Sequence, residues 1–343
     1  MPIDQSRFIV AGNSAIDLFT LRNGDFSVGL CPAGASIVSF TGPGRKGPVD
    51  IALAYEDPRE YLVNPVFFGC VAGRFANRIG KARFSIGGTT YRLEANDGPN
   101  CLHSGSAGYH ARVFRAEASD IHGRPAIRFC LEDEAGRGGF PGALSVRVTY
   151  TLDADGSLGI HFEASADAAT PVNLTNHCYF NLAGSGDVLG HELRIHASRY
   201  LEVGPDVMPT GKLLDAQGGP FDFKDFKPIG RDIEKVVPGY DNCYVLDGPV
   251  DGEGLRLAAE ARCASSGVGL EVRTSQPGVQ FYSAHYLKGV KGRGGAVYGK
   301  FGGFCLETQH YPDSPNQPGF PDCVLLPGKR YSERCVYRFI AAS

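Results

Sequence analysis

Apolar and polar residues alternate with period two along much of this chain, and that pattern constrains its fold more than any other feature. In "LSVRVTYTLDADGSLGIHFEAS", Val146, Val148, Tyr150 and Leu152 alternate with polar residues. Asp155-Gly156 then supplies a turn, and Leu158, Ile160 and Phe162 alternate back. This is the signature of a β-hairpin with one face buried. "ARFSIGGTTYRLEAN" repeats the scheme around Gly87-Gly88, and "GLEVRTSQPGVQFYSA" and "KRYSERCVYRFIAA" are further strand candidates. The 46 glycines and 22 prolines punctuate these runs instead of collecting into a linker. Helical periodicity is confined to short stretches such as "YEDPREYLVN" and "RDIEKVV". The pattern predicts an all-β fold, a single domain over residues 1–343 built as a large antiparallel β-sandwich or barrel.

Composition narrows the function. With 343 residues and 43% hydrophobic content there is ample chain for a large core. A formal net charge of -3 and the absence of a lysine/arginine block argue against nucleic acid or an anionic membrane as partner. No apolar run approaches the roughly 18 residues that span a bilayer, and the first residues lack the basic head and apolar stretch of a secretory leader. The ten cysteines contain no C-x-x-C pair. Apolar-flanked Cys70, Cys130 and Cys305 read as small core residues in a reducing compartment, the cytoplasm. "GGAVYGKF" has the glycine-to-lysine spacing of a phosphate loop, but Phe301 stands where a hydroxyl should hold magnesium. It and "GSGDVLG" read as loops.

Four segments carry residues suited to chemistry. In "GGFCLETQHYPDSPNQPGFP", Glu307 lies in an apolar run that reads as a buried strand, where a carboxylate must be paired or have a raised pKa. In "TPVNLTNHCYFNLAGSGD", Asn173, Asn176, His177, Tyr179 and Asn181 form a dense polar strip. His177 is either a core histidine or a working imidazole whose tautomer the flanking amides fix. "FGCVAGRFANRIGKARFSI" holds Arg74, Asn77 and Arg78; an arginine between buried strands needs an acceptor, either a hydroxyl-rich ligand or a carboxylate. His103 lies in the glycine-rich "NDGPNCLHSGSAGYH", with His110 a weaker candidate. Asp241 in "PGYDNCYVLDG" suits an Asx turn as well as a site. The other histidines (His122, His161, His191, His196, His285, His310) read as exposed strand or loop positions. No H-E-x-x-H or facial-triad spacing points to a metal. One buried carboxylate, two histidines, an arginine, an aspartate and several amides suit proton transfer to and from the hydroxyls of a neutral polar ligand such as a sugar.

These segments together, "AGRFANRI", "NCLHSG", "VNLTNHCYFNLAG", "PGYDNCYVL", "SQPGVQFYSA" and "GFCLETQHYPDSPNQPGFP", resemble the aldose 1-epimerases, in the family's order from about residue 30 to the end. The resemblance implies a β-sandwich of the supersandwich type that interconverts the α and β anomers of free aldoses without a cofactor or metal. It implies that Glu307 is the general base at the C1 hydroxyl and His177 the general acid at the ring oxygen. His103 would support the oxygens at the reacting end, and Arg74, Asp241, Asn77 and Gln280 would contact sugar hydroxyls. The protein would act as a monomer or homodimer on a small free aldose. Three rival readings are an epimerase for another sugar or a sugar phosphate, a non-catalytic carbohydrate-binding module, and a glycoside hydrolase. The first would need clustered cations, the second no acid–base pair, and the third two flanking carboxylates.

Overall fold

The computed structural model describes residues 3–11 and 14–342; residues 1, 2, 12, 13 and 343 of the expected 1–343 domain lie outside the described residues. Three antiparallel sheets dominate. The largest has nine strands in the order Arg115–Ile121, Arg124–Asp133, Leu144–Leu152, Ser157–Ala166, Tyr331–Ile340, Gly269–Thr274, Arg256–Arg262, Glu192–Ile195, Lys227–Pro228. A six-stranded sheet runs Tyr179–Phe180, Phe304–Gln309, Gly278–Tyr282, Asp241–Val245, Arg199–Val203, Pro209–Asp215. A five-stranded sheet follows chain order from Ile3–Ala11 to Gly47–Asp50. The two expected helical stretches are the 3-10 turns Pro58–Leu62 and Ile229–Lys235.

The alternation read from the sequence is what joins the layers. Leu144, Val146, Val148, Tyr150 and Leu152 all face inward, opposite Leu158, Ile160 and Phe162 of the next strand. The turn between them needs Gly156, whose φ is +84° and whose missing Cβ makes room for Phe26 at 2.7 Å. In the Gly87-Gly88 hairpin both turn residues have positive φ, the twist that a two-residue hairpin loop requires. Phe339 of the nine-stranded sheet packs at 5.7 Å against Phe26 and Phe40 of the five-stranded one, and Tyr337 at 5.0 Å against Phe180 of the six-stranded one. One continuous core therefore lies between the nine-stranded sheet and the other two. The fold is a large antiparallel β-sandwich.

The central strands of the six-stranded sheet break the alternation. Every residue of Phe304–Gln309 and of Gly278–Tyr282 is buried. One face of these strands joins the core through Phe304, Leu306, Val279 and Phe281. The other is roofed by loops from residues 65–78 and 100–111, and it carries Glu307. A strand covered on both sides reads as a continuous apolar run, as this one does.

Two expectations need correction. Cys130 is only half-buried, because it sits on the outward side of its strand opposite Arg147, while the other nine cysteines are buried; all ten are free thiols. His191 and His285 are core residues and not exposed ones. The His191 Nε2 accepts the Leu182 amide at 3.0 Å, and His285 packs against Tyr282 and Tyr286. Burial pulls the pKa values of His110, His177, His191, His285 and His310 down to about 4, and that of His103 well below its ordinary value. Their folded-state pKa values lie below the unfolded value of about 6.5, so as pH falls the unfolded chain takes up protons first. Stability is then lost as pH drops from about 6.5 toward 4, by up to roughly 1.4 kcal/mol per pH unit per histidine. The raised carboxyls Glu307, Asp241 and Glu333 act in the opposite sense but are fewer. Urea melts are expected to show a markedly lower midpoint at pH 5 than at pH 7; an unchanged midpoint would contradict the buried neutral histidines.

Candidate active site

A cavity of about 160 Å³ opens between the buried face of the six-stranded sheet and the 65–78 and 100–111 loops. Asn77, Arg78, His103, His177, Asp241 and Glu307 line it, together with Phe67, Tyr179, Tyr282 and Tyr286. A larger open groove, about 850 Å³, crosses the outer face of the nine-stranded sheet. Its lining is mainly surface charges already paired with one another, such as Arg273 with Glu271, and it contains no buried acid–base pair.

Glu307 and His177 meet inside the cavity. The Glu307 Oε1 lies 3.6 Å from the His177 Nε2, and both side chains are nearly fully buried. Strand pairing fixes Glu307 opposite Gln280. His177 follows the Thr175–Asn176 strand, and its own amide donates to the Cys70 carbonyl at 2.8 Å. Its ring is clamped between Phe67 and Tyr179, stacked at 5.6 and 5.1 Å. The three amides of the polar strip do not touch it. Asn173, Asn176 and Asn181 instead bond backbone groups and hold the loops. Burial raises the Glu307 pKa well above the carboxylate range; the nearby Asp241 charge adds to this and Arg78 opposes it. Burial also pulls His177 down to about 4. The Glu307 shift runs in the direction expected from the sequence.

The other groups are held by a local network. The Asn77 backbone N–H donates to the His103 Nδ1 at 3.1 Å, so the neutral ring carries its proton on Nε2. Gln280 donates from Nε2 to the Asp241 Oδ1 at 2.6 Å, and Arg78 approaches the Asp241 Oδ2 at 3.8 Å while bonding Asp97 at 2.7 Å. Phe67, Asn77 and His103 all have left-handed backbone, with φ of +63°, +64° and +49°. Such strain costs about 1–3 kcal/mol per residue and tends to collect at functional sites.

His103, His177 and Glu307 present ligand-type atoms within 4.8 Å of one another. They still do not fit a divalent ion. His103 Nδ1 is occupied by the Asn77 amide and its Nε2 is protonated, so one of three donors would have to be given up.

Arg74 is not where the sequence reading put it. It is 1% exposed and lines no part of the cavity. Its guanidinium donates from Nε and Nη2 to the Asp133 Oδ2 at 2.9 and 2.8 Å, and from Nη1 to the carbonyls of Pro141 and Gly142. Of the two acceptors open to it, the carboxylate is the one present. Arg78, four residues on, faces the cavity instead, because its strand pairs with Cys101–Leu102 just before His103. Gln280 stands behind Asp241 and also lies outside the cavity lining. Sequence reasoning missed Phe67, Tyr282, Tyr286 and Leu287, which come from loops and strand ends with no polar signature.

Known proteins resemble this chain over nearly its whole length. The family model for aldose 1-epimerase matches residues 17–338. The galactose mutarotase of Mus musculus is 40% identical over 337 residues, 97% of this chain and 96% of that one. The aldose 1-epimerase of Escherichia coli is 37% identical over 334 residues, covering 94% and 95%. Among solved structures, an aldose epimerase homologue from C. elegans superposes with a TM-score of 0.88 at 28% identity, over 96% of this chain and all of that one. Fold, length and sequence agree from one end of the match to the other: the chain belongs to the aldose 1-epimerase family.

Proposed function

We propose that the protein is a mutarotase, interconverting the α and β anomers of free aldoses such as galactose and glucose. The observation that carries this reading is the buried pair His177–Glu307, 3.6 Å apart, with one pKa driven down and the other up. In the working state Glu307 is a carboxylate and His177 an imidazolium. Glu307 takes the proton of the C1 hydroxyl, and the O–H electrons form the C1 carbonyl. The C1–O5 pair moves to the ring oxygen, which receives the His177 proton. Rotation about C1–C2 offers the other carbonyl face, and closure reverses both transfers. Proton count on the pair is conserved over the cycle, so no cofactor chemistry enters. Burial favours the neutral pair, which is the form that accompanies the open-chain sugar, and so makes the ionised pair more reactive.

The remaining groups have matching tasks. His103 offers an Nε2–H donor to a sugar oxygen, Asp241 accepts from hydroxyls, and Arg78, with Asn77 beside it, takes the hydroxyl-holding role first expected of Arg74. A sugar phosphate would need more cations than Arg78, which is already bonded to Asp97. Among the described residues no helix is long and apolar enough to cross a membrane; we place the protein in the cytoplasm, acting on a small free aldose without nucleic-acid or membrane partners, as a monomer or homodimer. The continuous core from Phe19 to Phe339 supports reading residues 1–343 as one domain.

Polarimetry on freshly dissolved α-D-galactose and α-D-glucose tests the reading; no acceleration over the spontaneous rate, with pentoses also inert, would reject it. The pH profile is a second test. Activity needs one proton on the pair. The second proton goes to His177, so the acid limb is expected near pH 4 in assays begun by a rapid jump from neutrality. The alkaline limb is expected well above the ordinary carboxylate range, where Glu307 loses the last proton. A limb near pH 6.5 on the acid side would contradict the assignment of His177.

A further inference from the structure

The strands Asp241–Val245, Gly278–Tyr282 and Phe304–Gln309 set side chains in rows on the cavity side of their sheet. Cys243, Gln280 and Glu307 form one row, and Val245, Gly278 and Gln309 the next, deeper one. Strand alternation puts Glu307 and Gln309 on the same face, within reach of long side chains. Gln309 is fully buried, and neither its Nε2 nor its Oε1 bonds a nitrogen or an oxygen; the Cys243 thiol in the adjoining row is its one weak polar neighbour. The Glu307 Oε2 and the Gln280 Oε1 are likewise buried and unpartnered. Four such atoms on adjoining positions call for a common explanation, since buried polar groups are nearly always bonded.

Resting on the mutarotase reading, we infer that Gln309 is a positioning residue for Glu307. Its amide donates to the Glu307 Oε2 when the carboxyl is ionised. It accepts from the Oε2 hydroxyl when the carboxyl is protonated, directly or through one buried water. An amide has both a donor and an acceptor and can serve both states; an apolar side chain can serve neither. Gln280 cannot replace it, because its Nε2 is turned to Asp241. The other groups that act on Glu307 are Asp241, two strands away in the same sheet, Arg78 from the roofing segment, and His177 and His103 across the cavity. The thiols of Cys70, Cys243 and Cys305 and the phenols of Tyr179 and Tyr337 also lie near, but burial holds all five neutral. Among these, Arg78 supplies charge and Gln309 supplies a hydrogen bond that follows the proton.

The test titrates the Glu307 carboxyl by NMR in protein labelled with [13Cδ]glutamate, the signal being assigned by its loss in Glu307→Gln. Gln309→Met, which keeps the volume and removes both polar atoms, is expected to raise the Glu307 midpoint by half a unit or more. It should lower kcat about tenfold, leave KM within twofold, and move the alkaline limb of the pH profile upward. Gln309→Glu guards against misfolding of the first variant; it sets a second carboxyl beside Glu307, and the two are expected to titrate as a coupled pair. An unshifted Glu307 midpoint in both variants overturns the inference, whether or not thermal stability falls. The titration is read without sugar, so a wild type that fails to accelerate mutarotation rejects the proposed function and leaves this result to be decided separately.

Discussion

Replacing Glu307 with glutamine is expected to lower turnover of fresh α-D-galactose by about 10²- to 10⁴-fold while the protein stays folded. Glutamine fills the same space but cannot take the proton of the C1 hydroxyl, and the carboxyl it replaces is costly to the fold. Glu307 is 2% exposed, its Oε2 has no hydrogen-bond partner, and Asp241 presses on it electrostatically. A buried acid of this kind is kept at the expense of stability, so Glu307→Gln should melt no lower than wild type, and the activities of the two compare directly. His177→Asn should lose turnover to a similar degree, because the imidazole 3.6 Å from Glu307 is the other half of the same proton exchange. The two losses should be far from additive, since either change alone breaks the cycle. Stopped polarimetry beside thermal denaturation checks both variants. Near-normal turnover in Glu307→Gln would reject the mechanism.

Arg74→Ala is expected to cost about 3–5 kcal/mol of stability, the usual penalty for stranding one member of a buried ion pair. Asp133, 4% exposed, would lose its two short guanidinium bonds and keep Tyr109 at 3.0 Å, with Arg112 at 3.5 Å and Arg137 at 4.0 Å as weaker partners. The carbonyls of Pro141 and Gly142 would lose their donor as well. Whatever fraction folds should bind sugar with a KM close to that of wild type, because Arg74 lines no part of the cavity. Arg78→Ala should behave in the reverse way, raising KM with a smaller loss of stability, since its partner Asp97 is half-exposed. Chemical denaturation together with steady-state kinetics separates the two arginines. A large KM effect in Arg74→Ala with unchanged stability would contradict the structure.

The contrast between Arg74 and Arg78 also marks how far the sequence could be read. Period-two alternation in the Leu144–Leu152 and Ser157–Ala166 strands is a local property: each residue's face follows from its neighbour's, so the hairpin, its turn at Gly156 and its buried side were all visible in the letters. Glu307 was visible for the same reason, as a charge in a run that has to be buried. His177, His103 and Asp241 were visible as polar groups beside such runs, and they do converge on one cavity. Arg74 and Arg78 look alike in sequence, both arginines within one glycine-rich stretch outside any regular periodicity. Only the path of that loop sends the first to Asp133, 59 residues away, and the second to Asp97 and the cavity. The same holds for Phe67, whose left-handed backbone turns an ordinary apolar residue into one wall of the His177 clamp. What the sequence by itself determined was the all-β class and the chemical types at the site, because strand periodicity and the cost of burying a charge act locally. Which arginine faces the sugar, what clamps the imidazole, and what completes the Glu307 hydrogen bonds were decided only by tertiary structure, because those contacts join residues far apart in the chain.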